Sequence, residues 1–343
     1  IVPECCFGLI RFPNLYSRHN IMPDLIVPHI DSPFAWAALL VFVTIALGMD
    51  FISLRRQGSR VIGFKDALRW SLVWIGLALV FCAGLWLALD LSEGRAVANL
   101  KAGEFLTGYL IEKSLSVDNL FVFLLLFNTF HVPLAQQKKA LMIGIIAAIV
   151  LRIILILVGA WLISRFSWIM YLFGLFLLYT GAKMVIADEA EPDLEKNGLL
   201  KWMRRHLTIS HEYHGDVLHF SKDGARIFTP LFLVVALIGV TDVMFAVDSI
   251  PAIFAVTTDP YIVMSSNIFA VLGLRALYFM LAGMAERFHL LKFGLAAVLV
   301  FIGTKMLIVD FYHIPVGASL AVVLAFLVVT MVASLLVKPK AGD

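Results

Sequence analysis

Residues 241–251 read TDVMFAVDSIP, and they lie in an apolar run that begins near Leu231 and resumes at Ala252-Ile253-Phe254-Ala255-Val256. Two aspartates and a proline are costly there if the run crosses a membrane. A carboxylate at the bilayer centre costs about 2.5–3.5 kcal/mol even on lenient insertion scales. The composition indicates that it does cross: the chain is 61% hydrophobic and only 15% charged, whereas a soluble domain is roughly 45–50% apolar. A polytopic, all-α membrane protein is expected.

Stretches of about 20 apolar residues fall near 33–53, 70–90, 105–128, 140–163, 167–187, 228–256, 262–284, 289–309 and 314–337, which makes nine predicted transmembrane helices. The one long hydrophilic segment, 188–226, opens with DEAEPDLE and continues through KWMRRHL. The expected organisation is an ill-defined segment 1–32, two helices in 33–91, a three-helix unit in 104–187, a cytoplasmic loop at 188–226, a second three-helix unit in 227–310, and a last helix with a tail in 311–343. Residues 1–21 show no helical or strand period and are read as an upstream extension with the start at Met22.

Basic residues mark the cytoplasmic side. Arg55, Arg56, Arg60, Lys65 and Arg69 follow the first span, and Lys138, Lys139, Arg287, Lys292, Lys338 and Lys340 fall on the same face by alternation. The N-terminus is therefore expected outside and the C-terminus in the cytoplasm. A formal net charge of +3, spread in this way, does not suggest a nucleic-acid partner. Cys5, Cys6 and Cys82 have no metal-ligand or disulfide spacing, so redox chemistry gains no support from them.

The two three-helix units repeat. SRFSWIMYLFGLFLLYTGAKMVIAD (164–188) matches ERFHLLKFGLAAVLVFIGTKMLIVD (286–310) at a constant shift of 122, which pairs Arg165 with Arg287, Gly181 with Gly303 and Lys183 with Lys305. Upstream, Arg152 answers Arg275, and EKSLSVDN (112–119) answers DVMFAVDS (242–249). Because each unit holds an odd number of spans, the second copy enters the membrane from the opposite side, and the repeats are expected to be inverted. That arrangement, with interrupted helices in matching positions, is characteristic of secondary transporters.

Glu112 and Asp118 are six apart, as are Asp242 and Asp248. Left unpartnered, four such acids would cost on the order of 10–14 kcal/mol, comparable to the whole stability of a typical protein. Lys113, Arg152 and Arg275 supply three nearby positive charges, and Lys183 and Lys305 sit near span ends where they snorkel. The balance is net negative, so the acids, with Asn119 and Ser249 beside them, form a candidate metal site. Buried ion pairs that only fix helix packing are the alternative, but they do not explain the same six-residue spacing in both units beside Asn119 and Ser249. Positions six apart diverge by about 120° on a straight helix, so convergence within a pair needs local unwinding, which Pro251 would favour. An all-oxygen ligand set suits manganese, magnesium or calcium and does not separate them. No serine–histidine or cysteine–histidine pair and no HExxH motif marks an enzyme.

GYLIEKSLSVDNLFVF and TDVMFAVDSIPAIFAVT, with GLRALYFMLAGMAERF and IGTKMLIVDFYHIP, strongly resemble the signature segments of the TerC family of integral membrane proteins, over about residue 34 to the end. The resemblance implies export of Mn²⁺ across the bacterial inner membrane, with Glu112, Asp118, Asp242 and Asp248 in the path and no bound cofactor. It also implies older labels of tellurium resistance and, for some relatives, association with the secretion machinery to metallate exported proteins. Expected partners are thus the manganese ion, the lipid bilayer, and secretion components or a second copy of the chain. His206, His211, His214 and His219 lie in the hydrophilic loop, where His211, His214 and Asp216 have metal-clip spacing; this cluster is not a family signature, and a solvated loop is the plainer reading.

Overall fold

The computed structural model describes residues 33–57, 63–166, 168–186, 198–210, 212–213, 215, 217–222, 225–282, 290–312 and 314–337. Helices occupy every apolar stretch named above: α1 (Pro33–Gln57), α2 (Phe64–Ser92), α3 (Arg95–Thr129), α4 (Leu134–Arg165), α5 (Ile169–Ile186), α7 (Pro230–Phe254), the consecutive pair α8 (Pro260–Val271) and α9 (Leu274–Leu281), α10 (Leu291–Leu307) and α11 (Val316–Leu336). Between α5 and α7 lies a short helix α6 (Gly198–His206). Among the described residues, five helices are long and apolar enough to cross a membrane, and the bent pair α8–α9 makes a sixth. The others fall short by composition or length: α3 carries Lys101, Glu104, Glu112, Lys113 and Asp118, and α10 has 17 residues.

The outside of the bundle confirms its solvent. Leu72 and Val80 on α2, Ile154 and Leu157 on α4, Leu172 and Leu175 on α5, and Val328 and Val329 on α11 are all exposed. Glu112, Arg152, Asn119 and Asp242 are buried. Apolar residues outward and ionisable residues inward is the distribution lipid selects.

Packing pairs the helices across the two units: α3 against α8, α4 against α7, and α5 against α10. The last pair meets at glycines. A methyl group at Gly303 would stand 2.8 Å from the Gly174 carbonyl oxygen, and one at Gly181 would stand 3.0 Å from that of Ala296. Only a missing Cβ permits so close an approach. Gly174 lies by Gly303 and Gly181 by Ala296, so α5 and α10 run antiparallel.

Two expectations about the backbone are corrected. Pro251 does not unwind α7, which runs unbroken from Pro230 to Phe254; the proline removes one hydrogen bond in the last turn, where little helix remains to be bent. The break lies instead between α8 and α9, which bend by 41°. Gly273 causes it, with φ at +85°, a conformation that costs L-residues about 1 kcal/mol or more. A Cβ there would also lie 2.6 Å from Trp74 Cγ. Gly273→Ala is expected to lower the melting temperature of the purified protein by at least about 3 °C, whereas Gly239→Ala, with open space around its Cβ, should not. The matching stretch of α4 is continuous, so the interruption is not repeated in both units.

The hydrophilic segment is not wholly irregular, and the all-α expectation is amended by one hairpin. Strands β1 (His219–Lys222) and β2 (Ala225–Phe228) pair antiparallel, with His219 opposite Phe228. Leu200 and Met203 of α6 pack with Leu231 and Val234 at the start of α7. The Tyr213 hydroxyl donates to the Phe130 carbonyl over 2.7 Å, and burial pushes its pKa above the ordinary phenol value, keeping it a donor. His211, His214 and Asp216 lie outside the described residues, as do residues 1–32.

Candidate metal pathway

The acids that come together belong to different units rather than to one pair. Glu112 of α3 and Asp242 of α7, equivalent positions in the repeat, both reach the Arg152 guanidinium of α4: Nη1 pairs with Glu112 Oε1, and Nη2 lies 3.7 Å from Asp242 Oδ1. All three residues are at most 3% exposed. Straight helices explain this. A six-residue spacing sends the two acids of one helix apart, and because α3 and α4 both pack against α7 and α8, Arg152 meets the first acid of each unit.

Asn267 of α8 completes the cluster by accepting from Arg152 Nη1 at 2.8 Å. Two carboxylates share one guanidinium, so the group is net negative when both are ionised. Glu112 Oε2, Asp242 Oδ2 and Ser249 Oγ are buried and have no hydrogen-bond partner among the described residues. A buried oxygen without a partner costs roughly 1–3 kcal/mol, and a cation offsets that cost.

Asp248 stands apart from Arg152. It accepts from Thr180 Oγ1 at 3.4 Å and lines a cavity of about 230 Å³ together with Asn119, Lys183, Leu115, Phe245 and Leu299. Lys183 is exposed in the last turn of α5, as expected of a lysine at a span end, and it also borders this cavity. The backbone of Asp118 lies in α3, but its side chain is outside the described residues. Arg275 is buried in the first turn of α9. Among the described residues Lys113 pairs with no acid: its Nζ donates to the carbonyl oxygens of Ala270 at 3.1 Å and Leu272 at 3.5 Å. Among the described residues, no three histidine, cysteine or acidic side chains already stand together as a metal shell.

Asn267, Thr180 and Lys183 were not anticipated as site residues. Lys183 had one usable signal, its exact match to Lys305 in the repeat, and Asn267 another, as the last of three consecutive polar residues, Ser265-Ser266-Asn267, in an apolar run; Thr180 had neither.

Comparison with known proteins agrees with the architecture. The model of the family described as "Integral membrane protein TerC family" matches residues 97–341. An Escherichia coli K12 protein, Alx, described as a candidate membrane-bound redox modulator, is 54% identical over 303 residues, which is 88% of this chain and 94% of that protein. The Photorhabdus laumondii protein of the same description is 49% identical over 88% of this chain and 95% of its own length. A membrane protein of Myxococcus xanthus is 44% identical over 90% of this chain and 94% of its own. No solved structure matches the chain.

Proposed function

We propose that this chain, which belongs to the TerC family of integral membrane proteins, is a secondary transporter that exports divalent manganese from the cytoplasm in exchange for protons. The observation that carries the reading is the convergence of Glu112 and Asp242 on Arg152 inside an apolar bundle. A purely structural ion pair needs one acid per cation. Here two acids share one guanidinium, and oxygens remain without partners.

Further support comes from the packing of α5 on α10. The contacts Gly303–Gly174 and Gly181–Ala296 exchange under the shift of 122 that relates the units, as do Gly303–Leu178 and Gly181–Val300, and the helices run antiparallel. Two units related by a two-fold axis in the membrane plane produce both features. In this reading the nine helical segments cross the bacterial inner membrane, the N-terminus outside and the C-terminus in the cytoplasm.

The residues then have distinct roles. Glu112 and Asp242 take the divalent cation, and Asn267 retains an acceptor for Arg152 while they do so. Asp248, with Asn119 and Thr180, lines the neighbouring cavity as a second station. Ser249 and Asp118 complete the oxygen ligands along the path. Hard oxygens suit Mn²⁺ over zinc or copper. Export against a negative cytoplasm is uphill by about 4.6 kcal/mol per 100 mV for two charges, so a counter-ion is needed, and carboxylates in a low-dielectric site exchange metal for protons without any further group.

A non-transporting membrane partner is the second reading. It is favoured by the ordered unit of α6 and the β1–β2 hairpin, which offers other proteins a surface, and it accommodates the redox description of the Alx relatives. The purified protein in liposomes separates the two. Manganese-dependent quenching of an enclosed metal-sensitive dye supports transport, and an unchanged signal with folded protein favours the partner role. In the same assay Asp248→Asn is expected to slow the flux at least about tenfold, with no change in the amount of folded protein.

A further inference from the structure

The break between α8 and α9 places a positively charged side chain where a helix ends. Extended geometry at Leu272 and the positive φ of Gly273 stop the α8 hydrogen-bond ladder. The last carbonyls of a helix have no intrahelical donor and carry the negative end of its dipole. Ala270 and Leu272 are at most 2% exposed, so these oxygens are shielded from water. Lys113, from the middle of α3, brings its ammonium group to both of them.

That contact is unusual for a lysine in this core. Acids stand nearby, with Glu112 the preceding residue and Asp242 on α7, yet among the described residues no ion pair joins Lys113 to a carboxylate. Arg275 lies in the turn that follows the break, so the neighbourhood already holds one guanidinium. An ammonium held, among the described residues, by two backbone carbonyls has the coordination chemistry of a monovalent cation. Divalent ions of this class favour carboxylates, whereas carbonyls at half-helix ends hold monovalent ones.

We infer that the Ala270 and Leu272 carbonyls at the C-terminal end of α8 form a monovalent-cation site, which Lys113 fills as a tethered primary ammonium. The site is built from backbone carbonyls rather than from the acids proposed to take the divalent ion, and it does not depend on the manganese reading. Its consequence is that the intact protein needs no sodium or potassium at the break, because the cation is part of the chain.

Removing the tether tests this. Purified Lys113→Ala and the unmodified protein are melted in choline chloride, sodium chloride, potassium chloride and ethylammonium chloride at equal ionic strength. The unmodified protein is expected to melt at one temperature in all four. Lys113→Ala is expected to melt lower in choline and to recover by at least about 3 °C in ethylammonium or one of the alkali cations, increasing with the logarithm of its concentration. The same response in both proteins, or in neither, overturns the assignment. If Lys113→Ala does not accumulate, Lys113→Ser is extracted and measured in the same four salts, and failure of both variants even in ethylammonium and alkali salts also overturns it. The melting test involves no manganese, so its outcome is independent of whether the protein transports that ion.

Discussion

Arg152→Met is expected to remove most of the folded protein from the membrane. The substitution takes away the cation that Glu112 and Asp242 share, leaving the carboxylates of two buried residues. Breaking a buried pair in this way costs about 3–5 kcal/mol, a large part of a typical stability of 5–15 kcal/mol. Gel-filtration recovery and melting of the detergent-extracted protein measure the loss. The cause can be checked separately, because adding Glu112→Gln and Asp242→Asn removes the stranded charges and should restore much of the folded protein. Normal recovery of Arg152→Met with altered metal affinity would instead make Arg152 a gating residue.

The second large effect concerns the acids themselves. Asp242→Asn retains the shape and one acceptor oxygen and removes the charge, so folding is expected to survive while Arg152 keeps Glu112 and Asn267. On the transport proposal, manganese flux should fall by more than about 100-fold, since loss of a direct ligand would exceed the 10–100-fold typical of an outer-shell partner. Cells that rely on this protein should then accumulate manganese as a deletion strain does. Wild-type flux through both Asp242→Asn and Glu112→Gln would remove these two residues from the path.

Much of the architecture was legible because lipid imposes a simple rule on composition. Helix α7, at Pro230–Phe254, falls within the predicted 228–256, and α11, at Val316–Leu336, within 314–337. The polar positions were legible for the same reason: Glu112, Asn119, Arg152, Asp242 and Ser249 stand out in apolar runs, and all five prove to be buried. The backbone at the site was not legible. Pro251 looked like the natural breaker, yet the break falls at Gly273, and nothing in sequence separates that glycine from Gly144 or Gly239, which lie within unbroken helices. Only the approach of Trp74 and the positive φ single it out. Pairing across units was hidden too. Spacing within TDVMFAVDSIP describes one helix, whereas Arg152 reaches Glu112 and Asp242 through the packing of three. The hairpin at 219–228 escaped notice because its strands are four residues each in a segment of mixed polarity.

The most direct test uses the purified protein in liposomes loaded with a pH-sensitive dye, with the membrane potential clamped and a manganese gradient imposed. Proton movement opposite to the manganese flux, abolished by Glu112→Gln, is the result predicted for an antiporter built on the acids of two inverted units. Manganese flux with no proton signal at any pH tested would contradict proton exchange, and absence of flux from folded protein would contradict transport itself.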